Sequence, residues 1–277
     1  AGEMATAQYA AWKAAIHAES SPRDFADGLS QVVSYGMVLA ALSGLEADAN
    51  HDGVITVEEA RAAIKGISPV MAAAFGPLLE EPLYTAVRVE LGHLERLISA
   101  IDVERVQRSS DRRGEPWLYF YEDFLGVYDP DERRQAGVYY TPTSVVQAMV
   151  AVVDRLLVDR FGLRAGFADE GVVTLDPAVG TGTFPLAVLD CAARRMHDLR
   201  GPAGHRQAAA NLSRNLHGFE LLPGPYAVAH LRLTQRLREL DPSSRSAARI
   251  LLTDTLESPD GVQDQIPLFG EGRVLAM

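Results

Sequence analysis

The sequence predicts an α/β protein in which a helical N-terminal region precedes a parallel sheet whose strands alternate with helices. Through about the first 125 residues, apolar side chains recur at spacings of three and four, the period of one helix face. Beyond Tyr140, short β-branched runs alternate with helical segments. The connections between these segments are short, which favours right-handed crossovers and a parallel sheet that helices cover on both faces.

In the helical region, the apolar spacing predicts four helices, over residues 5–17, 25–45, 58–67 and 83–101. Pro69, Pro77 and Pro82 punctuate the gap between the last two helices. A dense run of aromatic residues over 117–124 is typical of packing at a domain junction. We therefore divide the chain into a helical domain, 1–125, and a second domain, 126–277.

In the second domain, the sequence pattern predicts the order strand–helix–strand–helix–strand. Thr141-Pro142 favours an extended residue before a turn, and an amphipathic helix follows. The run Val172-Val173-Thr174-Leu175 has the β-branched, apolar character of a buried parallel strand. The predicted helices are 145–161, 183–196, 206–215 and 226–240, and the predicted strands are 172–175, 216–221 and 250–252.

Composition narrows the class of protein. The 277 residues carry Lys+Arg 26 against Asp+Glu 37, a net charge of -11, which argues against a chain that grips nucleic acid with its whole surface. The one cysteine, Cys191, excludes a disulfide framework and is interpreted as a core residue. Because no apolar run approaches the ~18 residues of a membrane span, we expect a soluble, cytoplasmic protein without a membrane partner.

A glycine-rich loop is the sharpest local signal. Asp176-Pro177-Ala178-Val179-Gly180-Thr181-Gly182-Thr183-Phe184 ends the first strand and opens a helix, where free amides meet a ligand. Pro185 occupies the position of the third glycine of a dinucleotide fingerprint, and no Gly-Lys-Ser/Thr follows, so NAD and P-loop sites are excluded. The loop and the later acidic strand end at Glu220 suit a ligand with a cationic amino-acid end and a ribose.

These residues resemble a known family. The segment 176–184 resembles the S-adenosylmethionine loop of N6-adenine DNA methyltransferases, and Gly137-Val138-Tyr139-Tyr140-Thr141-Pro142 is similar to the element that precedes it there. Residues 117–130 are similar to the stretch that leads into the methylase domain of large single-polypeptide restriction–modification enzymes. The resemblance covers about residues 111–256. It implies a coupler-like helical domain and then the first half of a Rossmann-like S-adenosylmethionine-dependent methyltransferase sheet.

The resemblance also implies a function and a site. The parent protein would transfer a methyl group from S-adenosylmethionine to the N6 of adenine in DNA, in restriction–modification or phage defence. Asp176 would accept from the ligand's ammonium group, Glu220 would accept from the ribose hydroxyls, and Asp254 would accept from the adenine amino group. The full set of implied cofactor-binding residues is Tyr139, Tyr140, Thr141, Asp176, Ala178, Gly180, Gly182, Thr183, Glu220, Leu221 and Asp254.

The sequence departs from the family at the catalytic element. That element, Asn/Asp-Pro-Pro-Tyr/Phe, holds the flipped-out adenine, and it occurs nowhere in this sequence. We therefore expect a fragment that contains the cofactor half of a methyltransferase and turns over no substrate by itself. No catalytic residue is assigned to this chain. Its DNA contacts would come mainly from regions missing here, and other parts of the same polypeptide would be its partners.

Two other interpretations remain open. Residues 48–59 fit the calcium-loop template, with oxygen-bearing residues at positions 1, 3, 5 and 12 and Gly53 at position 6. This pattern predicts a calcium-binding helical interaction module, or alternatively a polar loop in which Thr56 and Glu59 form a capping box. The histidines show no metal-ligand spacing, so no metal residue is assigned. A methyltransferase acting on a non-DNA substrate is the second alternative.

Overall fold

The computed structural model describes residues 9–10, 21–42, 54–66, 68–102, 141–243 and 248–256. Its architecture is mixed α/β, mostly helical, with a three-stranded sheet. The chain divides into two compact units. The first comprises Ala1–Arg112, Leu221–Ala227 and Leu252–Met277, and the second comprises Arg113–Glu220 and Val228–Leu251. The predicted domain boundary at residue 125 lies outside the described residues and stays a prediction.

Four helices and a 3-10 helix lie within the described residues between 21 and 102. They are α1 Pro22–Leu42, α2 Val57–Ile64, α3 Pro69–Phe75, the 3-10 helix Gly76–Leu79 and α4 Leu83–Ser99. The predictions of helices over 25–45, 58–67 and 83–101 are confirmed, with ends shifted by up to three residues. The predicted helix over 5–17 lies outside the described residues except for the helical pair 9–10.

The prolines of the gap between α2 and α4 lie at the starts of helical elements. Pro69 starts α3, at a position where a helix needs no backbone N–H donor. The Ser68 hydroxyl accepts from the Met71 amide at 3.3 Å and caps this short helix. A Pro-containing gap can therefore hold helical turns.

The core of the first unit forms where α1 packs against α2, α3 and α4. Met37, Ile64, Met71 and Phe75 are fully buried there. A Cβ at Gly36 would lie 2.7 Å from Cε2 of Phe75, so only glycine lets this ring approach α1 so closely. The apolar periodicity of α1 thus marks a packing face, as predicted.

The capping box at Thr56 is confirmed. Its hydroxyl accepts from the Glu59 amide at 3.2 Å, and the Glu59 carboxylate accepts from the Thr56 amide at 2.9 Å. Residues 48–53 of the calcium-loop template lie outside the described residues. The calcium hypothesis therefore stays a prediction, with the carboxylate of its twelfth position engaged in the cap.

The remaining elements follow the predicted order. Helices α5 Thr143–Phe161, α6 Thr183–Arg200, α7 Ala203–Asn215 and α8 Pro223–Leu240 alternate with β1 Thr174–Asp176, β2 Leu216–Glu220 and β3 Arg249–Leu252, and a 3-10 turn spans Gly166–Ala168. These predictions are confirmed, although β1 begins two residues late. In the described part of the chain, no helix is long and apolar enough to cross a membrane.

The strands form one sheet in the order β1-β2-β3, and β1 pairs with β2 in parallel. The register matches Thr174 with Leu216 and Asp176 with Gly218. Parallel pairing brings the carboxyl ends of β1 and β2 to the same edge of the sheet. Asp176 and Glu220, the last residues of these strands, therefore end near each other.

Burial of the sheet on both faces is not borne out at β1. Val173 is 69% exposed and Leu175 is 52% exposed, although the sequence pattern predicted a buried strand. The amphipathic α5 also turns its larger apolar side outward. Its exposed apolar residues are Val145, Met149, Val152, Val153, Leu156 and Phe161. The reason is that α5 packs on α6 and the Gly166–Ala168 turn through a narrower face formed by Val146, Val150 and Asp154.

Candidate functional site

The glycine loop connects β1 to α6 across residues 177–182. Gly180 and Gly182 have φ angles of 56° and 86°, in the left-handed region that favours glycine. A Cβ at Gly182 would lie 3.4 Å from the Ala229 Cα, so the loop backbone lies directly against α8. A Cβ at Gly180 would meet nothing within 4 Å, which leaves space beside this peptide. The backbone conformation, rather than crowding, explains glycine at position 180.

Two side chains at the loop carry buried polar atoms for which the described part of the chain provides no hydrogen-bond partner. Asp176 Oδ1 accepts from the Ala178 amide at 3.1 Å, but Asp176 Oδ2 is buried and has no hydrogen-bond partner in the described part of the chain. The same is true of Thr183 Oγ1, in the first turn of α6. Burial raises the pKa of Asp176, and the hydrogen bond from Ala178 only partly offsets it. A ligand donor at Asp176 would relieve this cost.

Glu220 joins the loop to the end of β2. Its Oε2 accepts from the Gly180 amide at 2.7 Å, and the Val179 amide donates to the Phe219 carbonyl oxygen at 2.9 Å. A Cβ at Gly218 would lie 2.3 Å from Cγ2 of Val179, so this glycine admits the loop against the sheet. The structure therefore brings Asp176, Gly180 and Glu220 close together at the carboxyl ends of β1 and β2.

A buried arginine reaches the same loop from α8. Arg232 is 4% exposed, and its Nη1 donates to the carbonyl oxygen of Thr181 and, at 3.2 Å, to the Thr181 hydroxyl oxygen. Sequence reasoning missed this contact, since 51 residues separate the two partners. One signal was available, because Arg232 interrupts an apolar stretch of α8 where a surface residue is not expected.

The other residues that the resemblance implies are Tyr139, Tyr140, Thr141, Leu221 and Asp254. Tyr139 and Tyr140 lie outside the described residues, and Thr141 is exposed just before α5. Leu221 and Asp254 belong to the first compact unit. Leu221 is half-buried directly after β2, and the Asp254 carboxylate accepts from the Leu256 amide at 2.8 Å, which forms a local turn.

The residues present at the loop fit the cofactor that the family resemblance implies. S-adenosylmethionine carries an ammonium group and ribose hydroxyls, which are donors, and the loop offers two carboxylates from neighbouring strand ends. No described residue donates to the buried Asp176 Oδ2, and the space beside Gly180 leaves room for a ligand. This fit concerns the amino-acid and ribose parts of the cofactor, which are the parts that Asp176 and Glu220 would contact.

Among the described residues, no group of three or more His, Cys, Asp or Glu side chains is arranged to hold a metal ion. Cys191 is half-buried on α6, and burial and then the neighbouring Asp154 carboxylate raise its pKa. A raised pKa keeps the thiol protonated, which disfavours a nucleophilic role.

This chain has the same overall fold as parts of three solved structures. The DrdV–DNA complex matches with a TM-score of 0.61 at 24% identity, covering 96% of this chain and 23% of that chain. The nuclease-deletion mutant of the Type ISP restriction-modification enzyme LlaGI, with a DNA substrate mimic, matches with a TM-score of 0.60 at 18% identity, covering 96% and 20%. DNA-bound LlaBIII, an ATP-dependent Type ISP restriction-modification enzyme, matches with a TM-score of 0.60 at 21% identity, covering 94% and 17%.

The chain thus spans about a fifth of the length of the solved chains that it matches. No curated protein matches it. The sequence model of the N-6 DNA Methylase family matches residues 118–266, more than half of the 277 residues, including the glycine loop and Glu220. The family indicated by the motifs at Gly137 and Asp176 is confirmed by this match. This chain belongs to the N-6 DNA Methylase family.

Proposed function

We propose that this chain is the cofactor-binding part of a DNA methyltransferase that transfers a methyl group from S-adenosylmethionine to the N6 of adenine. The observation that carries the proposal is the buried Oδ2 of Asp176, which has no hydrogen-bond partner among the described residues and lies at the carboxyl end of β1, beside the glycine loop. In open α/β sheets, ligands bind at the carboxyl ends of strands. Membership of the N-6 DNA Methylase family supports the choice of reaction.

Within this proposal, each residue has a role toward the cofactor. Asp176 accepts from the ammonium group, a charge-assisted hydrogen bond, and Glu220 accepts from the ribose hydroxyls. Ala178, Gly180 and Gly182 bring the backbone close to the ligand, and Thr183 supplies a hydroxyl. The remaining proposed contacts, to the methionine end and to the adenine, come from Tyr139, Tyr140, Thr141, Leu221 and Asp254.

The bound cofactor supplies an electrophilic methyl group. What this chain contributes is orientation, because the loop and the two strand ends fix where the ligand lies relative to the sheet. Glu220 already accepts from the Gly180 amide, so ribose binding has to share or replace that hydrogen bond. No proton transfer by Asp176 or Glu220 is needed for this binding role.

The wider context of the chain is also proposed. A Rossmann-like half-sheet, 126–277, follows a helical domain, 1–125, and both belong to a restriction–modification or phage-defence enzyme in the cytoplasm. Its proposed partners are DNA and further parts of the same polypeptide. The likeness in fold to LlaGI in complex with a DNA substrate mimic and to DNA-bound LlaBIII supports this context.

Calorimetric titration with S-adenosylmethionine tests the site. We expect Asp176→Ala and Glu220→Gln each to weaken binding about tenfold to a hundredfold. Asp176→Ala removes the charged acceptor and Glu220→Gln neutralises it, and hydrogen bonds to charged groups contribute about 1.5–3 kcal/mol. Asp169→Ala is the matched control for Asp176→Ala, since Asp169 Oδ1 likewise accepts from an amide two residues later, that of Gly171, at 3.2 Å.

The outcomes of this titration are distinct. Unchanged affinity in both Asp176→Ala and Glu220→Gln would contradict the assigned site, and no binding to the unaltered chain at millimolar cofactor would contradict the proposed function. The affinity should also fall as the pH is lowered through the raised pKa of Asp176, because a protonated carboxyl accepts poorly from an ammonium group. Asp169→Ala should leave that pH dependence in place.

A methylation assay tests whether this chain lacks methyl-transfer activity by itself, as proposed for a cofactor-binding part. With S-adenosylmethionine and adenine-containing DNA, we expect no methyl transfer by this chain, because its sequence contains no Asn/Asp-Pro-Pro-Tyr/Phe element to hold a flipped-out adenine. Incorporation of labelled methyl groups into DNA would be the contrary result. A catalytically complete adenine methyltransferase in the same buffer is the positive control.

A further inference from the structure

Arg232 is buried in an unusual place for a charged side chain. It lies in α8 at 4% exposure, where burial lowers its pKa to about 9. Withdrawing a guanidinium from water is costly unless strong acceptors receive its hydrogen bonds. Two such acceptors are the carbonyl oxygen and the hydroxyl oxygen of Thr181, which is itself only 1% exposed.

The Thr181 carbonyl belongs to the peptide that joins Thr181 to Gly182. A trans peptide is planar, so its C=O and N–H groups point in opposite directions. Here the carbonyl receives Arg232, while the Gly182 amide donates to the Val179 carbonyl oxygen at 3.0 Å. Both sides of this peptide plane are therefore fixed. Gly182 has a φ of 86° and would otherwise permit the plane to rotate more freely than any other residue type.

Two other contacts fix the loop before this peptide. They are the hydrogen bonds from the Val179 amide to Phe219 and from the Gly180 amide to Glu220. Both come from β2, whereas Arg232 acts from α8, which also contacts Gly182 through Ala229. The loop is thus held from the sheet at its start and from a buried helix at its end.

We propose that Arg232 is a positioning residue for the glycine loop, which locks the Thr181–Gly182 peptide plane so that the loop is preorganised for its ligand. Arg232 acts through the Thr181 carbonyl and not by touching the ligand. Its effect on affinity rests on the proposed function, while its effect on loop order does not. Preorganisation strengthens binding because less conformational freedom is lost when the ligand arrives.

Two measurements on the full chain test this role. The first is amide hydrogen exchange of a peptide spanning 176–184, compared with one spanning 216–220. The second is calorimetric affinity for S-adenosylmethionine. Arg232→Met keeps the side-chain length without charge or donors, and we expect loop exchange to rise about tenfold, with little change in β2 and about tenfold weaker binding. Arg232→Lys, which keeps the charge and a donor, should restore a large part of both.

Arg236→Met is the matched control on the same helix. Arg236 Nε donates to the Asp190 carboxylate of α6 at 2.7 Å, in a partly exposed pair that includes no loop residue, so loop exchange should stay at its original rate. A folded Arg232→Met variant with unchanged loop exchange would overturn the positioning role. Equal acceleration in the loop and in β2 would also overturn it, because that pattern reports a general loss of stability.

The two proposals fail separately. If the unaltered chain does not bind S-adenosylmethionine but Arg232→Met still accelerates exchange in the loop alone, the proposed function fails and the positioning role stands. If Arg232→Met does not fold, Arg232→Gln, which is shorter and neutral, is tested by the same exchange measurement. Unchanged loop exchange in that variant would then overturn the positioning role.

Discussion

Replacing Asp154 by alanine is expected to lower the free energy of unfolding by about 3 kcal/mol. Asp154 is 3% exposed on α5, where its Oδ1 accepts from the Phe167 amide at 3.3 Å and its Oδ2 accepts from Arg195 Nε at 2.8 Å. The substitution removes both acceptors and leaves the Arg195 guanidinium without its partner. The lower end of the range for buried pairs applies because the Arg195 side chain is 30% exposed.

This carboxylate joins three elements, which is why its loss is costly. It connects α5, the 3-10 turn Gly166–Ala168 and α6, and these elements pack against one another. The hydrogen bond to Asp154 raises the pKa of Arg195. Only glycine fits at position 166 beside Asp154, since its φ is 57° and a Cβ there would lie 2.0 Å from Asp154 Oδ1.

Urea unfolding followed by far-UV circular dichroism measures the effect of Asp154→Ala. Asp159→Ala is the control on the same helix, because Asp159 is 63% exposed and lies 3.8 Å from Arg155 in a surface pair. A surface pair of this kind contributes less than about 0.5 kcal/mol. Asp154→Asn keeps an acceptor for the Phe167 amide, so its loss in free energy of unfolding should lie between those of Asp154→Ala and Asp159→Ala. Equal losses for Asp154→Ala and Asp159→Ala would refute the structural role of the buried pair.

Local sequence signals predicted the elements and the loop well. The helices over α1, α4 and α6 follow from apolar periods that extend for four turns or more, and the glycines at 180 and 182 occupy left-handed positions. The contact between Gly180 and Glu220 was also predictable in outline. The order of the strands and parallel pairing bring the ends of β1 and β2 together, and both residues follow or occupy those ends.

Which face of a helix is buried was not predictable from the apolar period alone. In α5 the larger apolar residues, such as Met149 and Leu156, are exposed, while Asp154 is buried in line with Val146 and Val150. Burial of Asp154 depends on Arg195, which lies 41 residues away in the sequence. Because such partners are brought together only by tertiary packing, a buried charge looks like a surface residue in sequence.

Acidification is expected to destabilise the folded chain through His230. This residue is 3% exposed on α8, and its Nε2 lies 3.0 Å from the Ile250 carbonyl oxygen. Since a carbonyl only accepts, Nε2 carries the proton of a neutral ring. Burial lowers the pKa of His230 from 6.5 to about 4, although the hydrogen bond to Ile250 acts in the opposite direction.

The sign of the effect follows from which state binds the proton. Between pH 6.5 and 4, the unfolded chain protonates His230 and the folded chain does not, so unfolding becomes more favourable as the pH falls. The stability is fully present above pH 6.5 and decreases by about 3 kcal/mol by pH 4. The lowered pKa of His217, caused by burial and then by Arg249, acts in the same direction. The raised pKa of Asp176 acts in the opposite one.

Urea unfolding at pH 7 and pH 5, compared between variants, measures how much His230 contributes to the pH dependence of the free energy of unfolding. His230→Gln retains an amide donor for the Ile250 carbonyl but does not titrate, so it should lose about 2 kcal/mol less between these pH values than the unaltered chain. His93→Gln, at an exposed position on α4, is the control and should keep the original pH dependence. If His230→Gln and the unaltered chain lose the same stability on acidification, His230 is not held neutral in the folded state, because only a difference in proton binding between the two states produces the slope.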